Sequence, residues 1–201
     1  MTDREEMRVR LRAQRQALAP TARIAAASAV AASLEQLPEF LVDARVAGYW
    51  AVAGELPLNV ALAALTARGQ NYHLPVLMRG RRLRFAPWRR DVELAPNRYG
   101  IPEPQCDPSA LVAPGGLDLV LVPLLGFDRR GNRLGNGAGY YDRSFEFLKQ
   151  VPRPAQPVLV GIGYSFQELP ALAEQAWDIQ MDFIATEGEL IDCAGDGRRE
   201  T

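Results

Sequence analysis

Histidine is almost missing from this chain: His73 is the only one among 201 residues. It sits in Asn71-Tyr72-His73-Leu74-Pro75, an extended segment running into a proline, and reads as structural. A Ser-His-Asp hydrolase or a His-rich zinc site therefore has almost no material, and neither Gly-x-Ser-x-Gly nor His-Glu-x-x-His occurs. Cysteine is nearly as scarce. Cys106 and Cys193 form no Cys-x-x-Cys pair, and a lone disulfide is a poor expectation at this size, so a reduced, cytoplasmic setting is expected. No segment approaches the roughly 20 consecutive apolar residues of a membrane span, and Met1-Thr2-Asp3-Arg4-Glu5-Glu6 has no apolar export signal. An excess of one charge is missing too. With 23 Lys plus Arg against 24 Asp plus Glu, the whole molecule has no field to gather nucleic acid or anionic membrane.

What is present is enough apolar material, 48% of residues, for one sizeable core. We expect a single domain over 1–194, with the Gly195–Thr201 tail fraying. Arg4 to Leu18 reads as a helix with Met7, Leu11 and Leu18 on one side. At about 100° per residue, Arg4, Arg8 and Arg15 fall within about 40° of one another beside that stripe, where the helix should meet the body. A second, alanine-rich helix follows Pro20 and runs from Thr21 to Leu37. Strands are expected at Arg45–Trp50, Tyr72–Leu74, Leu83–Phe85, Leu117–Val122, Val158–Ile162 and Phe183–Thr186. Helices are expected at Leu58–Arg68 and Tyr140–Lys149, and Pro87–Gly116 reads mainly as loop. Strands alternating with helices predict an α/β fold with a parallel or mostly parallel sheet covered by helices. The nearly continuous apolar run Leu117–Val122 marks a strand buried on both faces.

That strand leads into Gly126-Phe127-Asp128-Arg129-Arg130-Gly131-Asn132-Arg133-Leu134-Gly135-Asn136-Gly137-Ala138-Gly139-Tyr140-Tyr141-Asp142-Arg143. Gly135, Gly137 and Gly139 strip side chains from alternate positions, so backbone N–H groups can approach an anion with a helix start behind them. Arg133 adds a fork able to take two phosphate oxygens. Asp142, facing the same anion, reads as a magnesium ligand, since a carboxylate beside polyphosphate needs a cation between them. The plainer alternative is that it only complements the helix dipole. The spacing is neither a Rossmann nor a Walker pattern, so an unliganded surface loop stays open on pattern grounds.

The string Arg133-Leu134-Gly135-x-Gly-x-Gly139-Tyr140-Tyr141-Asp142-Arg143 resembles the signature of the 5-formyltetrahydrofolate cyclo-ligases, also called methenyltetrahydrofolate synthetases. Met7-Arg8 with Arg15, Gly54-Glu55 after Tyr49-Trp50, Gly100–Pro104 and Asp178–Glu187 are similar to further family elements in the same order. The resemblance implies a three-layer α/β/α fold with a central mostly parallel sheet, like that of sugar-phosphate isomerases and CoA transferases. It implies an enzyme that uses ATP and magnesium to phosphorylate the formyl oxygen of 5-formyltetrahydrofolate, closing the ring to the 5,10-methenyl form with release of ADP and phosphate.

Carried over by position, it assigns ATP to Arg4, Arg8, Arg133, Leu134, Gly135, Asn136, Gly137, Ala138, Gly139, Tyr140 and Tyr141. Arg133, Tyr140 and Tyr141 would be catalytic. Folate would fall to Trp50, Glu55 and Asn136 through Tyr140, and magnesium to Asp142 and Asp178. A monomer acting on a small molecule, with or without a polyglutamate tail, is expected, without nucleic acid or membrane. The family commonly has lysine in place of Arg4 and a polar residue, often histidine, in place of Trp177. The rival readings are a sugar-phosphate isomerase-like enzyme that consumes no ATP, and a folate- or nucleotide-binding paralogue without turnover.

Overall fold

The computed structural model describes residues 3–194, so the tail expected beyond 194 lies outside the described residues. Helix α1 (Asp3–Ala17) opens with Asp3, Glu5 and Glu6 and closes with Arg15, charges that complement its dipole. Helix α2 (Pro20–Leu34) starts on a proline and is built largely of alanine, and a short α3 (Pro38–Val42) follows. Then come β1 (Arg45–Ala47), α4 (Asn59–Ala67), β2 (Asn71–Leu77), β3 (Leu83–Pro87), β4 (Leu94–Pro96), β5 (Pro102–Pro104) and β6 (Leu119–Pro123). The chain continues through β7 (Gly126–Phe127), β8 (Arg133–Leu134), α5 (Tyr140–Ser144), β9 (Val158–Ile162), β10 (Phe183–Ala185) and β11 (Leu190–Asp192).

Seven strands form one sheet in the order β11-β10-β9-β6-β1-β2-β3. The five inner strands run parallel, and only the edges β3 and β11 are antiparallel. Alternate residues of β6 enter opposite layers. Leu119 and Leu121 pack with Val30 and Leu34 of α2 and Leu65 of α4, while Val120 and Val122 pack with Phe145, Leu148 and Tyr140. The three-layer α/β/α arrangement follows directly. Leu119 to Val122 are all fully buried, each worth about 1.5–3 kcal/mol, which explains why this strand is the clearest in the sequence.

Several expected elements end early: the strand expected over Arg45–Trp50 stops at Ala47, and the alanine-rich helix expected to Leu37 stops at Leu34. The helix expected over Tyr140–Lys149 ends at Ser144 and continues as a 3-10 segment, Glu146–Gln150. Phe145 leaves the helical region with φ −109°, and its ring is buried beside Phe85. So short a helix has little dipole to offer an anion. The segment Pro87–Gly116, expected to be mainly loop, also holds the short β4–β5 hairpin.

Helix α1 does not lie on the main sheet. Its Leu11 is buried with Leu125, Leu134, Leu169 and Leu172, over the small β7–β8 hairpin. That seat carries the arginines of α1 to the loop that follows β8. Both cysteines are half-buried, His73 is buried with Nδ1 3.4 Å from the Val46 carbonyl, and no single described helix is long and apolar enough to cross a membrane.

Candidate functional site

A cavity of about 980 Å³ opens beyond the carboxyl ends of β1, β2 and β6, where parallel α/β sheets place their ligands. It brings together Arg4, Arg8, Trp50, Glu55, Arg133, Gly135 through Tyr141, Asp142 and Asp178. Of the residues that the resemblance assigns to ATP, folate or magnesium, Leu134 alone stays out of it among the described residues. Strand alternation turns Leu134 into the cluster with Leu11, leaving its backbone to pair with Gly126.

The glycine loop is held through its carbonyls by arginines. Arg8 Nε donates to the Gly135 carbonyl at 3.0 Å and Arg12 Nη2 to that of Asn136 at 3.2 Å. Arg143 Nη1 donates to the carbonyls of Ala138 at 3.1 Å and Gly139 at 3.2 Å. Across planar trans peptides, the N–H groups of Asn136, Gly137, Gly139 and Tyr140 must then point away from those arginines. Gly137 and Gly139 have φ of 100° and 71°, a region costly for any residue with a Cβ, so the glycines serve the path of the loop as well as close approach.

Two ion pairs organise the charged side. Arg133 Nη2 lies 2.5 Å from Asp142 Oδ1, and Arg4 Nη2 lies 2.7 Å from Asp178 Oδ2. The Asp142 Oδ1 atom also accepts from the backbone N–H of Ile179 at 3.3 Å, which places the two aspartates side by side across 36 residues of chain. Arg133 sits 5.8 Å over the Tyr141 ring, and its buried Nε makes no hydrogen bond among the described residues. No group of three or more His, Cys, Asp or Glu suited to a metal occurs among the described residues. A pair of aspartates, each with one oxygen already engaged, fits a hard cation such as magnesium, which takes one or two carboxylates and completes its shell with phosphate oxygens and water.

The other side is aromatic. Trp50 meets Trp88 edge-on at 6.2 Å, and Tyr141 stacks on Phe145 with centroids 6.3 Å apart. Desolvation pushes the Tyr141 hydroxyl well above its ordinary range, so it stays a phenol and a donor. For Tyr140 burial acts upward, but hydrogen bonds with Tyr99 and Arg98 outweigh it and leave that hydroxyl below the usual value. Glu55 is 8% exposed, with Oε2 accepting from the Val52 N–H at 3.1 Å and Oε1 from Asn136 Nδ2 at 3.4 Å. Burial raises its pKa, opposed by the Val52 N–H and by Arg15.

Glu55 hangs from a turn closed by its own N–H on the Val52 carbonyl at 2.9 Å. The two central residues, Ala53 and Gly54, have φ of 49° and 78°. An alanine held there costs about 1–2 kcal/mol, which the surroundings must offset.

Sequence reasoning missed several residues of the cavity wall. Asn97 and Tyr99 arrive on the β4–β5 hairpin, whose three-residue, proline-flanked strands leave no alternating pattern to read. Glu103 has the sequence setting of a rigid turn's end, yet its Oε1 accepts from Leu77 N at 3.0 Å and Asn97 Nδ2 at 2.8 Å, tying hairpin to sheet. Trp177, 65% exposed, stands at the rim beside Asp178.

A family model described as the 5-formyltetrahydrofolate cyclo-ligase family matches residues 1–187. The 5-formyltetrahydrofolate cyclo-ligase of Escherichia coli K12 is 29% identical over 182 residues, 90% of this chain and 98% of its own. That of Haemophilus influenzae is 30% identical over 138 residues, covering 68% and 72% respectively. The solved structure of Aquifex aeolicus 5,10-methenyltetrahydrofolate synthetase superposes with a TM-score of 0.79 at 31% identity, over 98% of this chain and 95% of that one. A Mycoplasma pneumoniae synthetase, at 24% identity and TM-score 0.71, shares the fold.

Proposed function

The chain belongs to the 5-formyltetrahydrofolate cyclo-ligase family, ligases of folate one-carbon metabolism, and on that premise we propose how its cavity carries out the ATP-dependent closure of 5-formyltetrahydrofolate to 5,10-methenyltetrahydrofolate. The γ-phosphoryl of ATP passes to the formyl oxygen, which converts an amide oxygen, a very poor leaving group, into a phosphate ester. The neighbouring folate N–H nitrogen attacks the activated formyl carbon and gives up its proton to solvent, the C–O bond breaks, and phosphate departs with the oxygen. Positioning and charge neutralisation carry most of the acceleration, as in other phosphoryl transfers.

The observation that supports this reading best is the meeting of the glycine loop, Arg133 and the Asp142–Asp178 pair on one wall of the cavity that also contains Glu55. Arg4, Arg8 and the loop N–H groups would hold the polyphosphate, and Arg133 would bear the charge gathering on the transferring oxygens. Magnesium, when bound at Asp142 and Asp178, would supply the positive charge that lets polyphosphate lie beside two carboxylates. Glu55 would accept hydrogen bonds from the donor edge of the pterin, with Trp50 against its ring. The Tyr141 phenol would stay a neutral donor towards the formyl group.

The test is direct. Purified protein with 5-formyltetrahydrofolate, ATP and magnesium should raise the near-ultraviolet absorbance of the methenyl product in step with ADP. Tight folate binding without product would replace this reading with that of a binding paralogue, and neither binding nor product would return the chain to the isomerase-like class.

A further inference from the structure

Arg15 heads the fully buried large side chains of the molecule, and the reaction above makes no use of it. A guanidinium is expensive to bury and is retained where specific partners need it. Its Nε donates to the Ala53 carbonyl at 3.1 Å, so it grips the turn at its strained residue. Its Nη1 is buried without a hydrogen bond among the described residues and faces Glu55 Oε1 at 3.8 Å, with the two side chains 2% and 7% exposed. The Arg15 backbone is pinned in turn, its carbonyl accepting from Arg23 Nη2 at 3.3 Å.

We propose that Arg15 is a positioning residue for Glu55: it holds the Val52–Glu55 turn through the Ala53 carbonyl and keeps the carboxylate ionised at the cavity wall, ready to accept from the donor edge of the folate. The proposal rests on the reading of Glu55 as a folate contact. The groups around the carboxylate favour this role. Tyr49 and Tyr141 lie within the reach of the Glu55 charge, and burial keeps both hydroxyls protonated, that of Tyr49 donating to the Leu56 carbonyl at 2.6 Å, while Asn136 contributes a neutral amide. Arg15 supplies the opposing positive charge, while its own surroundings are Tyr49, Tyr164 and the like charge of Arg12. Without it, burial acts on Glu55 with only the Val52 N–H and the Asn136 amide against it, and the carboxyl takes up a proton nearer neutrality.

The experiment is a double-mutant cycle with Arg15→Met and Glu55→Gln, reading kcat, both KM values and the pH profile of kcat/KM for folate. Arg15→Met should raise the folate KM about tenfold, leave the ATP KM within about twofold, and move the acid limb to higher pH, because the ionised form is lost as pH falls through a pKa that has risen. On the Glu55→Gln background the same change should cost under about twofold, with the limb gone. Arg15→Lys, which keeps the charge, should leave the limb in place. If Arg15→Met does not fold, Arg15→Gln, a donor without charge, replaces it in the cycle. Full additivity with an unmoved limb, or equal rises in both KM values with a lower melting temperature, would reduce Arg15 to packing and overturn the proposal. A silent Glu55→Gln would remove the folate assignment and the proposal together, whereas a costly Glu55→Gln with additive Arg15→Met removes the proposal alone.

Discussion

On the wall proposed for the nucleotide, Arg133 with Asp142 is enclosed at 5% and 16% exposure, but the outer pairs, Arg4 with Asp178 at 21% and 11% and Arg8 with Glu5 at 17% and 43%, stay partly open to water. On the wall proposed for folate, Arg15 and Glu55 are almost wholly enclosed among Tyr49, Tyr141 and Tyr164. The difference follows from what each ligand brings. A triphosphate carries charge in with it, so its wall can keep outer pairs that are still partly solvated and exchange at modest cost. A pterin offers neutral donors, so the acceptor facing it must be charged beforehand and given a permanent buried partner, because a lone buried carboxylate would take up a proton.

The largest effect that would sharpen this contrast is expected at Asp142. Asp142→Asn keeps an acceptor for the Ile179 N–H but loses the charge, and turnover should fall about a thousandfold, near 4 kcal/mol in the barrier, with little change in melting temperature. ADP release measures it, and a near-normal rate would remove the cation from that wall. Arg8→Ala comes next, raising the ATP KM about tenfold and the folate KM under twofold, as expected for the loss of one charge-assisted contact. If both constants moved together, Arg8 would serve mainly to hold the Gly135 carbonyl, and the two walls would not be separable there. The smallest effect is that of salt. A tenfold rise in ionic strength should weaken ATP about threefold and folate hardly at all, since screening reaches half-exposed charges and not enclosed ones. Equal sensitivity in steady-state titrations would break the comparison.

Much of the fold is legible in residue spacing, as is the glycine loop with Arg133 and Asp142, whereas Trp50, Glu55 and Asp178 enter through the family resemblance. The angular arithmetic that places Arg4, Arg8 and Arg15 beside the apolar stripe holds, with Leu11 and Arg15 1% and 2% exposed. It groups three arginines that in fact do different work, because a helical wheel gives a direction around the axis and not the neighbour met along it. Leu134 enters the candidate site by lying inside a contiguous motif, and strand alternation takes it out. The β7–β8 pair, two residues on each side, is too short for periodicity to show, as is β11 at the sheet edge.

By itself the sequence determined the alternation of strands and helices, the doubly buried β6, and a loop of glycines, arginine and aspartate suited to an anion. All of these are written in spacing between near neighbours. Tertiary structure alone decided that Asp142 meets the backbone beside Asp178, 37 residues on to Ile179, and that Arg15 reaches the Ala53 carbonyl 38 residues away. Contacts of that kind depend on how α1, the β7–β8 hairpin and the strand ends pack in space, and no local period of 2 or about 3.6 encodes that packing.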